Sequence, residues 1–290
     1  MTLKIVTTLL FVSIFSELMF SQSLTKEDIL VQGIILDQED NQPLIYVSIG
    51  VLNKPQGTLT DTMGKFTFRI GHENLADTLQ VSMIGYFTKR IAVRDFVENK
   101  SKTIKLTVKI TELAEVVVSN GRTKTEVIGR QKSGKFVQVS IHNKTSVDET
   151  IGSEMGMRYS TKQKNAILKD INFYISSNNF NFIKFRVNVY AVKNNMPDTL
   201  MCAQQVFVTV DNFKTGWTKF DLEQYHINVG RDFIVTLQWV ESRMDKKENP
   251  VTMLPVAVTP FSKNCYVRVA SQDKWKKMGV SVSNYVTLAY

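Results

Sequence analysis

Residues that could carry catalysis are scattered through the sequence rather than grouped at the spacings that chemistry needs. The three histidines, His72, His142 and His226, stand far apart, and no His-Glu-x-x-His zinc motif occurs. A Gly-x-Ser-x-Gly nucleophile turn and a Gly-x-x-x-x-Gly-Lys-Ser/Thr phosphate loop are also absent. We therefore predict no catalytic residue, no metal and no cofactor. A β-sandwich hydrolase acting on glycans stays open as an alternative, because that chemistry needs only two carboxylates facing each other across a cleft.

Two acidic stretches contain oxygen atoms of the kind that calcium prefers. Asp37, Glu39 and Asp40 lie close together but lack the Asp-x-Asp-x-Asp-Gly spacing of a calcium loop, which favours a solvated turn. The stretch GTLTDTMGKFTF supplies one carboxylate, Asp61. Its oxygens can accept hydrogen bonds from the N–H groups that follow, and Gly64 can adopt a positive φ. We predict the turn of a β-hairpin here.

Exposed tryptophans are the residues most suited to binding sugars, because the C–H groups of a pyranose complement an aromatic face. Trp239 lies in an apolar strand-like stretch and is predicted to be core. Trp217 follows a glycine, and Trp275 is surrounded by lysines, so both are candidate ligand-binding residues. Packing in the core or at a strand edge is the competing interpretation, since aromatic residues dominate cores.

The two cysteines, Cys202 and Cys265, both lie in apolar, strand-like stretches. In an oxidising compartment they can form a disulfide. The alternative is two buried thiols that act as small apolar side chains.

The elements that would position these residues are almost all β-strands. Short segments rich in Ile, Val, Thr, Tyr and Phe alternate with turn-forming clusters, and the main helical candidate lies at residues 94–99. We predict an all-β protein with a small sandwich over residues 29–118, a polar linker over 119–133 and a jelly-roll-like sandwich over 134–290. In the last of these, residues 200–210 are expected to form a single strand.

The N-terminal part resembles the carboxypeptidase regulatory-like domain, a transthyretin-like β-sandwich of many Gram-negative envelope proteins. The resemblance covers roughly residues 29–110, through VQGIILDQEDNQPLIYVSIGV, GTLTDTMGKFTFRI and DTLQVSMIGYFTKRIAV. In the third stretch Gly85 ends a strand at a turn. The family resemblance implies a binding or assembly module. It does not imply peptidase activity, because a zinc-ligating His-x-x-Glu is absent. The C-terminal part resembles accessory jelly-roll domains only loosely.

The first residues indicate export. Lys4 precedes an apolar run that is shorter than the ~18 residues of a membrane-spanning helix, and polar residues follow it. We predict a signal peptide over residues 1–22 and no transmembrane helix. The formal charge of +9 comes from dispersed basic residues, which indicates a solvated basic surface rather than nucleic-acid binding.

These patterns together predict an exported, non-catalytic binding or assembly protein of the periplasm or cell surface of a Gram-negative bacterium. Its expected partner is an envelope glycan or protein. Besides the hydrolase, a small outer-membrane β-barrel is an alternative, because eight strands suffice for one and the chain ends in an aromatic residue.

Overall fold

A computed structural model describes residues 28–109, 124–133, 138–140, 150–244 and 255–290. The predicted signal peptide and the first residues of the predicted linker lie outside these ranges. Within the described residues, no helix has the length and apolarity to cross a lipid bilayer.

The N-terminal region is a β-sandwich built from two small sheets. The three-stranded sheet has the order β4-β1-β7, and the four-stranded sheet has the order β3-β2-β5-β6. Apolar side chains of both sheets enclose one core, which includes Ile35 and Phe66 from the first and Ile49 and Val81 from the second. The elements are β1 (Ile29–Asp37), β2 (Ser48–Val51), β3 (Gly57–Leu59), β4 (Lys65–Ile70), β5 (Thr78–Ser82), β6 (Lys89–Ala92), helix α1 (Val93–Glu98) and β7 (Thr103–Leu106).

The turn at Asp61 does not close a hairpin, which corrects the prediction. Strand β3 pairs with β2 and β4 pairs with β1, so the chain crosses from one sheet to the other at this point. The buried Thr60 explains the crossing, because its hydroxyl donates to the Leu44 carbonyl at 2.6 Å and accepts from the Val47 N–H at 2.9 Å. These bonds hold the end of β3 against the segment between β1 and β2.

The C-terminal region is a larger all-β unit with the principal strand order β13-β12-β17-β10-β18-β11-β20-β8. Its strands are β8 (Thr125–Gly129), β9 (Gln138–Ser140), β10 (Glu154–Ser160), β11 (Ala166–Ile175), β12 (Phe182–Lys193), β13 (Met196–Leu200), β14 (Val206–Asp211), β15 (Gly216–Asp221), β16 (Asn228–Val229), β17 (Asp232–Arg243), β18 (Pro255–Arg268), β19 (Lys276–Val282) and β20 (Asn284–Ala289).

Strand β18 joins the two halves of this region. Its first residues pair with β9 and β11, whereas its last residues pair with β10. Apolar side chains from both halves form a single core around the fully buried Trp239, as the sequence predicts for this tryptophan. The jelly-roll interpretation of this region stays a prediction.

Three elements differ from the sequence-based expectation. Residues 125–129, placed in the linker by their polar composition, form β8 because their backbone pairs with β20. The expected strand 200–210 is interrupted, and its parts β13 and β14 pair with different ends of β12. Strand β10 was not expected at all, since its MGMRY core carries no clear alternation, yet it lies between β17 and β18.

The N-terminal sandwich packs directly against the C-terminal region. Tyr46 and Leu59 form an apolar cluster with Val240, against which Phe207 also packs. The Tyr46 hydroxyl donates to a carboxylate oxygen of Glu241 at 2.9 Å.

The backbones of the two regions approach each other closely at two paired glycines. Gly50 on β2 faces Gly57 on β3, and a Cβ on either residue would lie 2.4 Å from the carbonyl oxygen of Ser271. The N–H of Asn53 also donates to the Gln272 carbonyl at 2.8 Å. The contact therefore depends on residues without side chains at these positions.

Candidate functional site

A cleft of about 280 Å³ lies where the two regions meet. The N-terminal sandwich contributes its walls from β2, β5 and the segment after β5, and the C-terminal region contributes strands β12, β17 and β18. The charged residues among those lining it are two arginines. The polar and charged lining residues are Ser48, Ser82, Thr88, Arg186, Asn188, Tyr190, Gln238, Arg268 and Gln272, and the apolar ones are Met83, Ile84 and Leu200.

Glu154 is the centre of a polar network behind this cleft. Its side chain is fully buried on β10 and accepts hydrogen bonds from Asn188 at 2.9 Å, from the Tyr190 hydroxyl at 3.1 Å and from Thr236. Arg268 completes the set with an ion pair at 2.5 Å. A buried carboxylate needs such partners, because without them the loss of hydration would disfavour its charged form.

Arg186 joins the two regions through its guanidinium group. It donates to the Tyr46 carbonyl and the Ser48 hydroxyl of the N-terminal sandwich, both at 2.9 Å. Its other donors reach the side-chain oxygens of Gln205 and Gln238. All of these acceptors are neutral, and burial lowers the pKa of Arg186 to about 10 although Glu154 opposes this shift.

Arg268 lies nearer the surface and is held on two sides. Burial by itself lowers the pKa of Arg268, but the charge and hydrogen bond of Glu154 together with Tyr190 and Asp273 outweigh it, so the net shift is upward. Its guanidinium stacks 4.8 Å from the centre of the Trp275 ring, and Trp275 also packs edge-on against Tyr190. Trp275, predicted as a ligand-binding residue, thus supports an arginine of the cleft.

Trp217 lies in a different place, in an aromatic cluster on the outward face of the C-terminal region. It extends from β15 across β11, and its ring centre lies 5.5 Å from that of Tyr174 and 5.1 Å from that of Tyr285 on β20. All three residues are partly exposed. The two predicted tryptophans therefore do not form one site.

Polar groups lie beside this aromatic cluster. Asp170 and Asn172 occupy the same face of β11 as Tyr174, and the Asn172 amide donates to Asp170 at 2.7 Å. Lys219, on β15 next to Trp217, forms an ion pair with Asp170 at 3.1 Å. This ion pair raises the pKa of Lys219. Asp170 and Asn172 are buried, so of these three groups the ammonium group of Lys219 is the exposed one.

Cys202 and Cys265 are both free, as in the second of the two alternatives. Cys202 lies between β13 and β14 at one end of the strand order, whereas Cys265 lies on β18 beyond β12, β17 and β10. Both thiols are buried in the core, and burial raises their pKa to about 11 and about 12, respectively. They act as small apolar side chains.

The acidic stretches form turns. An Asp61 carboxylate oxygen accepts the N–H groups of Met63 and Lys65, both at 2.8 Å, and Gly64 has a φ of 71°. Gly85 also has a positive φ, of 83°, and its Cβ position is open.

The carboxylate of Asp37 is likewise engaged in local hydrogen bonds. Its carboxylate accepts from the N–H of Glu39 at 2.7 Å and from the Tyr86 hydroxyl at 2.8 Å. These two bonds, the backbone one foremost, lower the pKa of Asp37.

In the described part of the chain, no group of three His, Cys, Asp or Glu residues is arranged to hold a metal ion.

The residues of the cleft were not predicted from the sequence. Glu154, Arg186 and Arg268 are far apart in the chain and share no motif. The available signal was a charged residue inside an apolar strand, as in FIKFRVNVY around Arg186, because a charge in a core strand requires a buried partner.

Comparisons with known proteins give one clear match. The family model of the CarboxypepD_reg-like domain matches residues 31–118. No curated protein matches the chain.

Solved structures give only distant similarities. The cysteine protease and lectin-like domains of a surface layer associated protein of Clostridium difficile are 13% identical over 47% of this chain and 31% of that one, with a TM-score of 0.34. A clostridial cysteine protease after propeptide cleavage is 10% identical over 92% and 72% of the two chains, with a TM-score of 0.39. A structure of infectious bursal disease virus, Gx strain, is 9% identical over 91% and 55%, with a TM-score of 0.25. These values carry no conclusion about fold or activity. The family match is independent of them: residues 31–118 match the CarboxypepD_reg-like domain.

Proposed function

We propose that the protein is an exported, non-catalytic binding protein of the bacterial cell envelope that binds glycans through Tyr174, Trp217 and Tyr285. The observation that carries the proposal is the position of Trp217, which lies over β11 between two tyrosines on an outward sheet face. The N-terminal signal pattern supports export.

The chemistry of the aromatic cluster suits a sugar ring. A pyranose presents C–H groups on one face and hydroxyl groups around its rim. The partly exposed rings offer a surface for the first, and the exposed ammonium group of Lys219, held by the buried Asp170, offers a hydrogen-bond donor for the second.

The test is a glycan array probed with the leaderless protein, followed by titration of the best ligand. We expect Trp217→Ala to weaken binding by at least ~10-fold, because the loss of an aromatic anchor should cost ~1.4 kcal/mol or more of binding free energy. Tyr285→Ala should weaken it less.

Trp275→Ala is the matched control, because it removes a partly buried tryptophan away from the cluster. It should leave glycan affinity unchanged. The proposal fails if the wild-type protein binds no glycan, or if Trp217→Ala, shown to be folded by circular dichroism, binds as tightly as the wild type.

A further inference from the structure

The cleft between the two regions is lined by two arginines, and only one of them is paired with a carboxylate in the described residues. Arg186 and Arg268 are the charged residues among its lining, and Glu154 behind them neutralises one of the two. Asp273, which lies outside the lining, adds a weaker attraction to the same arginine. Arg186 contacts only neutral acceptors.

An uncompensated buried charge is costly, and an anion placed beside it lowers that cost. The five N–H donors of Arg186 are already used, so its effect on an incoming group is through charge. Arg268 differs, because its Nε and Nη2 are bound to Glu154 and Tyr190 while its Nη1 has no hydrogen-bond partner among the described residues. Arg268 is therefore the arginine that can donate directly.

Other groups of the cleft complete a site for a carboxylate. The Ser82 hydroxyl accepts from the Gln272 amide at 2.8 Å, which leaves its own proton available for donation. Met83, Ile84 and Leu200 give the cleft an apolar part of its surface. Arg186, which has no carboxylate partner, favours one negative charge in the cleft, and the apolar lining matches a short hydrocarbon portion.

We infer that this cleft binds a small monocarboxylate with a short apolar tail, held by Arg268 and Ser82 at the junction of the two regions. Because Ser82 belongs to the N-terminal sandwich and Arg268 to the C-terminal region, the ligand contacts both and should stabilise their contact. This site is separate from the proposed glycan surface and does not depend on it.

The test is isothermal titration of the leaderless protein with acetate, butyrate and hexanoate, with butanol, inorganic phosphate and sulfate as comparison ligands. We expect saturable binding that is tightest for butyrate or hexanoate and undetectable for butanol. Equal binding of phosphate, sulfate and the carboxylates would overturn the assignment, and so would the absence of saturable binding by any carboxylate.

Variants separate a ligand site from a structural ion pair. Arg268→Gln alone leaves Glu154 unpaired, so the paired variant Glu154→Gln with Arg268→Gln is used, and it should weaken butyrate binding at least ~10-fold. Thr88→Trp, at an exposed position of the cleft lining, should weaken binding by steric obstruction without touching the network.

Trp217→Ala is the control and should bind butyrate as the wild type does. Its loss of glycan binding with retained butyrate binding would separate the two sites. Unchanged butyrate affinity in both cleft variants, once folding is verified by circular dichroism, would refute the inference.

Discussion

Among single residues, Glu154 is a fully buried carboxylate on β10 that is bound on several sides. It binds side chains from β12, β17 and β18, so three strands are joined at one group. In a low-dielectric interior, such a network specifies how the strands are placed, because each partner left unsatisfied would be costly. By contrast Asp61, a residue with obvious chemical potential, only closes a turn.

The residue-scale prediction concerns that turn. Gly64→Val should destabilise the protein more than Asp61→Asn. A non-glycine residue at a φ of 71° costs ~1–2 kcal/mol, and the new Cβ would lie 2.8 Å from the Ile35 carbonyl oxygen. The Asp61→Asn variant would keep a side-chain oxygen for the two N–H groups, so its cost should stay below ~1 kcal/mol. Urea unfolding of both variants checks the order, and the reverse order would contradict this explanation of the turn.

At the scale of elements, strand β8 shows how pairing overrides composition. Its residues are polar and look like a linker, but the backbone forms a complete ladder with β20. The Thr161 hydroxyl adds a bond to Glu126 at 2.7 Å. Strand β8 also contributes Ile128, which packs against the main core, whereas its neighbour Val127 is 47% exposed.

This alternation gives a matched pair of variants. Ile128→Ala should lower the free energy of unfolding by ~1–2 kcal/mol, somewhat less than for a fully buried isoleucine. Val127→Ala should change it by less than ~0.5 kcal/mol, as is usual for an exposed side chain. Chemical denaturation distinguishes the two. Equal, negligible effects would mean that β8 contributes nothing to the stability of the region.

At the scale of the whole molecule, the N-terminal sandwich and the C-terminal region act as packed partners rather than as separate modules on a linker. Polar bonds and apolar contacts both cross the junction, and Gln272 alone binds Gln80 at 2.7 Å and Ser82 at 2.8 Å. Since the cleft has walls from both sides, any disturbance of the junction should also alter the cleft.

Gly57→Ala tests the junction. The added methyl group would meet the Ser271 carbonyl oxygen at 2.4 Å, and overpacking of this kind costs ~1–3 kcal/mol. We expect a lower unfolding midpoint and faster proteolytic separation of the two regions. Gly279→Ala on β19, where a Cβ meets nothing within 4 Å, is the control and should behave as the wild type. Identical proteolysis of both variants would show that the close approach is not needed.

The sequence by itself determined the all-β class, the family of residues 31–118, the helix near residue 94 and the burial of Trp239, because these follow from local patterns of apolar residues and turn formers. It did not determine β10, the strand nature of β8 or the free state of the cysteines. Those depend on which strands pair, and pairing joins residues that are far apart in the chain. The cleft also depends on the tertiary structure. Glu154, Arg186 and Arg268 acquire their roles only when three strands and the N-terminal sandwich bring them together and remove them from water.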